Sequence, residues 1–241
     1  MLSTQTYLDA FDADGARLLE VAAGALDADV PPCPGWDVSQ LLVHVGQVYN
    51  FIGAALDNTG ADGPPTPPAL EVPEGEALIG WLADLHAGLA SKLRAAAPDA
   101  PVWNWAGTGT ADFFHRRMAH ETMVHRWDAE QAAGASSTMD SDLATDGVDE
   151  VLFVGMQHST NPNKTFEYPT GSLHLHRTDG EGEWLAKNEG GALVVTREHA
   201  KGDAAVRGSG SDLLLWIWGR GGEVEIFGDE AVAAAWAAAT P

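Results

Sequence analysis

Glu121, His125 and Asp128 sit in the segment Arg117-Met118-Ala119-His120-Glu121-Thr122-Met123-Val124-His125-Arg126-Trp127-Asp128. On a helix turning about 100° per residue, Glu121 and His125 lie about 40° apart and face the same way. Asp128 falls about 20° from Glu121 and completes the stripe, whereas His120 lies about 140° from His125 and cannot easily share a ligand with it. A carboxylate and an imidazole one turn apart are two donors for a divalent ion. A catalytic zinc site takes three protein ligands and leaves a fourth position open. His44 is the natural third donor, because it stands beside the apolar face formed by Leu41, Val48 and Phe51 of another helix. Inward-facing Glu and His from different helices are the usual way bundles build metal sites. Asp128 or Arg117 would then orient the ligands from behind. Other readings of the same residues stand at this point: His44 as a hydrogen-bonded core histidine, and Arg117, Glu121, His125 and Asp128 as a solvated charged face.

Amphipathic helices are needed to position these groups, and the first half of the chain supplies four. Apolar residues recur at helical spacing from about Gln5 to Leu26. After the break at Pro31-Pro32-Cys33-Pro34-Gly35, Asp37 and Gln40 form a capping-box pattern opening a helix to about Asp57, with Trp36 placed to staple against Leu41. A Gly- and Pro-rich loop, a helix from about Glu74 to Ala97, a loop holding Trp103 and Trp105, and a helix from about Ala111 to Ala133 follow. The pattern then changes. Strands are expected at Ser172–His176, Ala192–Thr196, Asp203–Gly208 and Glu223–Phe227, with a helix at Ser211–Trp218 capped by Ser209 or Ser211 and an Ala-rich helix from Asp229. The expected organisation is a four-helix bundle over residues 1–140 and a smaller α+β domain over 145–241. In the strand at 172–176, His174 and His176 share one side and read as two exposed histidines.

Composition narrows the function. The chain has 241 residues and a formal net charge of −22, from 13 Lys+Arg against 35 Asp+Glu. Such a field repels nucleic acid and anionic membranes, so neither is an expected partner. No apolar run approaches the length of a membrane span, and the opening segment lacks the basic-then-apolar pattern of a signal peptide. The single cysteine, Cys33, excludes an internal disulfide framework and fits a reducing cytoplasm. It lies in a Pro-rich turn with no histidine beside it in sequence and reads as structural rather than nucleophilic.

Three stretches resemble one known family, the mycothiol-dependent maleylpyruvate isomerases: Cys33-Pro34-Gly35-Trp36-Asp37-Val38 with Leu41-Leu42-Val43-His44-Val45-Gly46, the Arg117–Asp128 segment, and Val206–Trp216 with Trp218-Gly219-Arg220. The resemblance implies a DinB-like four-helix bundle followed by a small α+β domain similar to sterol carrier proteins. It implies a divalent ion, usually zinc, on His44, Glu121 and His125, and mycothiol, a small thiol of actinobacteria, as cosubstrate. A thiol in the open metal position would lose its proton readily and attack an electrophilic carbon, either isomerising the substrate or remaining attached as in an S-transferase. His120, Asp128 and Arg126 are candidate proton-transfer or orienting groups. Arg220 is expected either to meet the dipole at a helix end or to hold a substrate carboxylate through its bidentate fork. The Gly208-Ser209-Gly210-Ser211 run reads as a capping loop. Competing functions are a non-catalytic small-molecule or partner-binding protein on the same scaffold and a thiol-independent metal hydrolase. A monomer or a small homo-oligomer is compatible with the sequence.

Overall fold

The computed structural model describes residues 1–159, 163 and 165–239. The chain divides into two compact units, Met1–Thr138 and Met139–Pro241. No helix among the described residues is long and apolar enough to cross a membrane.

The first unit holds four helices: α1 (Thr4–Ala22), α2 (Val38–Asp57), α3 (Ala77–Ala95) and α4 (Asp112–Ala133). Each owes its limits to local chemistry. Ser3 caps α1 by accepting from Thr6 N at 3.1 Å. α1 stops at Ala22, short of the expected Leu26, where the Ala25 N–H turns back to the Ala22 carbonyl. α3 is shorter than the pattern at 74–97 suggests, because Gly75 adopts a left-handed turn and Ala96, two residues before Pro98, is already extended. α4 ends at Gly134, whose φ of 64° suits a residue without a Cβ. The stripes Phe11, Leu18 and Ala22 of α1, Leu41, Leu42, Val45 and Ile52 of α2, Leu82 and Leu93 of α3, and Phe114 and Met118 of α4 form the core. α1 packs chiefly on α4, and α2 on α3.

The second unit is a mixed five-stranded sheet with helices. It comprises α5 (Ser141–Glu150), a wider π-helical turn continuing it over Val151–Gly155, β1 (Leu173–Arg177), β2 (Glu183–Glu189), β3 (Ala192–Thr196), β4 (Ala204–Gly208), α6 (Gly210–Ile217), β5 (Glu225–Gly228) and α7 (Glu230–Ala238). The strand order is β3-β2-β1-β4-β5, with β1 and β4 parallel and the other pairs antiparallel.

Two of these elements are absent from the sequence reading. α5 is capped by Asp140, which accepts from Leu143 N at 2.8 Å, and it buries Leu143, Ala144 and Val148 among enough Asp, Thr and Gly to mask the stripe. β2 reads Glu-Trp-Leu-Ala-Lys-Asn-Glu, a poor strand sequence, and is held extended by pairing on both sides. The histidines of β1 also differ from expectation. His174 is buried and His176 half-buried, because both imidazoles turn to Glu183 on the neighbouring strand.

Gly46 lets α2 and α3 approach. A Cβ there would lie 2.2 Å from the Trp81 ring and 3.1 Å from Leu85 Cδ1. Gly46→Ala is expected to destabilise the chain by about 1–3 kcal/mol through overpacking, read as a lower urea midpoint with unchanged slope.

Candidate metal centre

α2 delivers His44, and its register is set at the first turn. Gln40 N donates to Asp37 Oδ1 at 2.7 Å and Asp37 N to Gln40 Oε1 at 2.9 Å, a complete capping box. Trp36, just ahead of the cap, tilts over the His44 ring with centroids 5.1 Å apart.

α4 delivers Glu121 and His125 one turn apart. Glu121 Oε1 lies 3.4 Å from His44 Nε2 and 3.2 Å from His125 Nε2. The donor atoms of the three residues all fall within 4.8 Å of one another. The two imidazoles stand nearly perpendicular, with centroids 5.0 Å apart. The other Glu121 oxygen accepts from Arg117 Nη2 at 2.7 Å.

Behind His125, its Nδ1 lies 2.9 Å from Oδ2 of the fully buried Asp128. An ionised carboxylate there assigns the proton to Nδ1 and leaves Nε2 turned toward Glu121 and His44. Cys33 donates its S–H to the same Asp128 oxygen at 3.6 Å. By its local sequence Cys33 is a structural residue of a Pro-rich turn. Its contact with Asp128 spans 95 positions and leaves no local signal.

The electrostatics follow from these contacts. Burial alone would raise Glu121, but the charge and hydrogen bond of His125, the hydrogen bond of His44 and the charge of Arg117 hold its carboxyl well below the usual range. Burial alone would lower His125. The Glu121 charge, with hydrogen bonds to Asp128 and Glu121, overcomes it and lifts the imidazole to about 9.

The remaining sequence candidates make contacts of their own. His120 is 2% exposed and packs edge-on against Tyr7 of α1, away from the trio. Arg126 is committed to Asp14 Oδ1 at 3.0 Å and Glu130 Oε2 at 2.8 Å. Arg220 belongs to the second unit, where its Nη1 donates to the Trp218 carbonyl at 3.0 Å at the end of α6. Ser209 caps α6 by accepting from Asp212 N at 3.1 Å, so the Gly-Ser run is a capping loop. Trp105 stacks edge-on against Phe113, and Trp103 lies 6.4 Å from Phe51.

Of the trio, His44 faces a cavity of about 680 Å³, shared with Trp36, Gln40, Gln47, Pro73 and Leu78. That volume suits a small organic molecule. Two inward helices thus present two imidazoles and a carboxylate beside an open cavity.

Residues 8–130 match the mycothiol maleylpyruvate isomerase N-terminal domain, and residues 142–235 match the MDMPI C-terminal domain. The chain belongs to the mycothiol maleylpyruvate isomerase family. Its fold agrees with crystal structures of a mycothiol-dependent maleylpyruvate isomerase. A mutant form gives a TM-score of 0.59 at 15% identity, and a second structure gives 0.56 at 17%. Each similarity covers 93% of both chains. No curated protein sequence matches the chain. At these identities the structural likeness establishes the fold, a helical region followed by a small mixed-sheet domain.

The raised His125 has a measurable consequence. Because its folded value of about 9 exceeds the ordinary 6.5, its stabilising contribution is complete below pH 6.5 and is lost as the pH rises through 9. Chelator-treated protein should therefore show a His125 imidazole NMR titration near 9 and a melting temperature that falls across that window. His125→Ala should remove this part of the pH dependence, and a His125 midpoint near 6.5 would contradict the proposed ion-pair geometry.

Proposed function

We propose that the chain is an enzyme that uses a divalent ion, zinc by donor type, on His44, Glu121 and His125 to activate a small thiol, mycothiol, against a small electrophile. The observation that carries this is Glu121 Oε1 set within 3.4 Å of both histidine Nε2 atoms, beside the cavity that His44 lines. The donor set fits such an ion. Two imidazole nitrogens and one carboxylate oxygen match the ligand types of catalytic zinc sites, which keep one position for water or substrate. When bound, the ion supplies Lewis acidity that lowers the proton affinity of a thiol beside it.

The chain's own residues do the rest. Asp128 fixes the His125 tautomer so that Nε2 keeps its lone pair for a ligand, and Cys33 helps hold the Asp128 carboxylate in place. Arg117 neutralises the Glu121 oxygen turned away from the histidines and so keeps the carboxylate ionised in a low-dielectric site. Trp36 covers one side of His44 and limits its exchange with water. The adjoining cavity gives thiol and electrophile a shared, bounded volume, which converts their encounter into a positioned reaction. The reaction is either isomerisation by reversible thiol addition to a conjugated double bond or S-transfer in which the thioether is kept. The reducing cytoplasm is the compartment that suits both a free thiol and the single cysteine.

The test pairs metal analysis with turnover. Purified protein should hold an ion on the trio and convert an electrophile from a panel including maleylpyruvate only when mycothiol is added. His44→Ala with His125→Ala should remove that ion and lower turnover by more than about 100-fold, while Asp128→Asn should weaken metal affinity by about 10–100-fold. Turnover without thiol would favour a hydrolase. Tight ligand binding without turnover would favour a binding protein, and full metal retention in the double variant would sink the ligand assignment.

A further inference from the structure

The second unit carries its own constellation of metal-binding side chains. His174, His176, Glu183 and His199 each place a donor atom so that all lie within 4.8 Å of one another. The sheet explains how they meet. His174 and His176 are two residues apart on β1 and therefore share a side. Glu183 opens β2 directly opposite His176 in the antiparallel register, which puts it diagonal to His174. His199 comes from the segment between β3 and β4 and closes the group from a third direction.

Three imidazoles surround one carboxylate. Glu183 Oε2 lies 3.2 Å from His174 Nε2 and 2.6 Å from His199 Nδ1, and Oε1 lies 2.9 Å from His176 Nδ1. The ring centroids are 5.4–6.0 Å apart and the rings are mutually inclined by 57–87°. That is a convergent arrangement, not a stack. If the imidazoles are charged, one carboxylate cannot balance three cations packed this closely. If they are neutral, His176 and His199 must both carry their proton on Nδ1, and the two oxygens of one carboxylate take all three N–H groups. His174, moreover, is 6% exposed, where an imidazole needs a polar or ionic partner. A divalent cation resolves the arrangement, since it replaces the converging protons and is attracted by a chain of net charge −22.

We infer that His174, His176, Glu183 and His199 form a second divalent-cation site, of zinc type, independent of the trio in the helical unit. Three nitrogens and one carboxylate oxygen supply four protein donors, the complement of a closed tetrahedral site. The inward adjustment needed is small, because tetrahedral ligands at about 2.0–2.1 Å stand roughly 3.3 Å from one another. His199, 78% exposed on an irregular segment, is the member with most room to adjust. Such an ion would tie β1, β2 and the segment after β3 together, so its role is to brace the sheet.

The test is a count of ions in the full-length chain. After chelation and dialysis against micromolar Zn2+, the wild type should bind two ions per chain. His176→Ala with His199→Ala removes two ligands that are not buried and should leave one ion. His44→Ala with His125→Ala should also leave one. In this second variant Zn2+ should raise the melting temperature and shift the imidazole NMR signals of His174, His176 and His199. Glu183→Gln, which keeps the side-chain shape, should reproduce the loss seen with the sheet double variant. A wild type that takes up no second ion below millimolar Zn2+ would overturn the proposal. So would a sheet variant that still binds two ions, or imidazole signals unmoved by Zn2+ in the bundle variant.

Discussion

A carboxylate placed inside a helical bundle stays ionised only if cations or donors surround it, and Glu121 imposes that requirement on the first unit. Removing such a charge from water costs several kcal/mol before any pairing. Arg117, one turn earlier on α4, takes one oxygen, while His125, one turn later, and His44 from α2 take the other. None of these alone would suffice. The His125 partnership is in turn held by Asp128, fully buried and touched by Cys33 from the turn before α2. Both the position of α2 and the conformation of its preceding turn therefore answer to one carboxylate on α4.

The same helix meets a second demand on its α1 side. Glu130 is fully buried and accepts from Arg17 at 2.8 Å and from Arg126 at 2.8 Å, while Arg126 also reaches Asp14 of α1 at 3.0 Å. Leaving any one of these charges unpaired in the interior would be strongly destabilising. α4 thus carries two ionic clusters, one shared with α1 and one with α2, separated by the turn of the helix. Arg126, adjacent in sequence to His125, belongs to the first cluster and is unavailable to the second. His120 is likewise carried to the α1 side, against Tyr7.

What could be read from the residues alone depended on whether the relevant geometry was local. Helical angles sufficed to put Glu121, His125 and Asp128 on one stripe and to separate His120 from His125, because those relations lie within one helix, while leaving open whether Asp128 or Arg117 orients the pair. The capping box at Asp37 and Gln40 and the extent of α4 to Ala133 were legible for the same reason. Local angles could not reveal that Cys33 touches Asp128, nor that Glu130 gathers Arg17 and Arg126. They also put His174 and His176 on one side of β1 correctly, yet left them exposed. Their burial is decided by the register with β2, and β2 itself has a sequence of Glu, Lys and Asn that does not announce a strand. α5 was hidden by polar residues between its small apolar positions.

The two histidine–glutamate groups present the same donor types in different numbers and on different elements. In the helical unit, rigid backbone fixes three donors on two helices, and the histidine from α2 looks into a cavity of about 680 Å³. Three donors leave a coordination position to whatever enters that cavity, which is the condition for chemistry. In the sheet unit a fourth donor comes from an irregular segment, and a smaller cavity of about 290 Å³ lies beside His174 and His199. Four donors would satisfy a tetrahedral ion and leave nothing for a substrate to displace. On the proposed readings, the number of donors and the stiffness of the element presenting each one, more than the residue types, would separate a reacting site from a holding one.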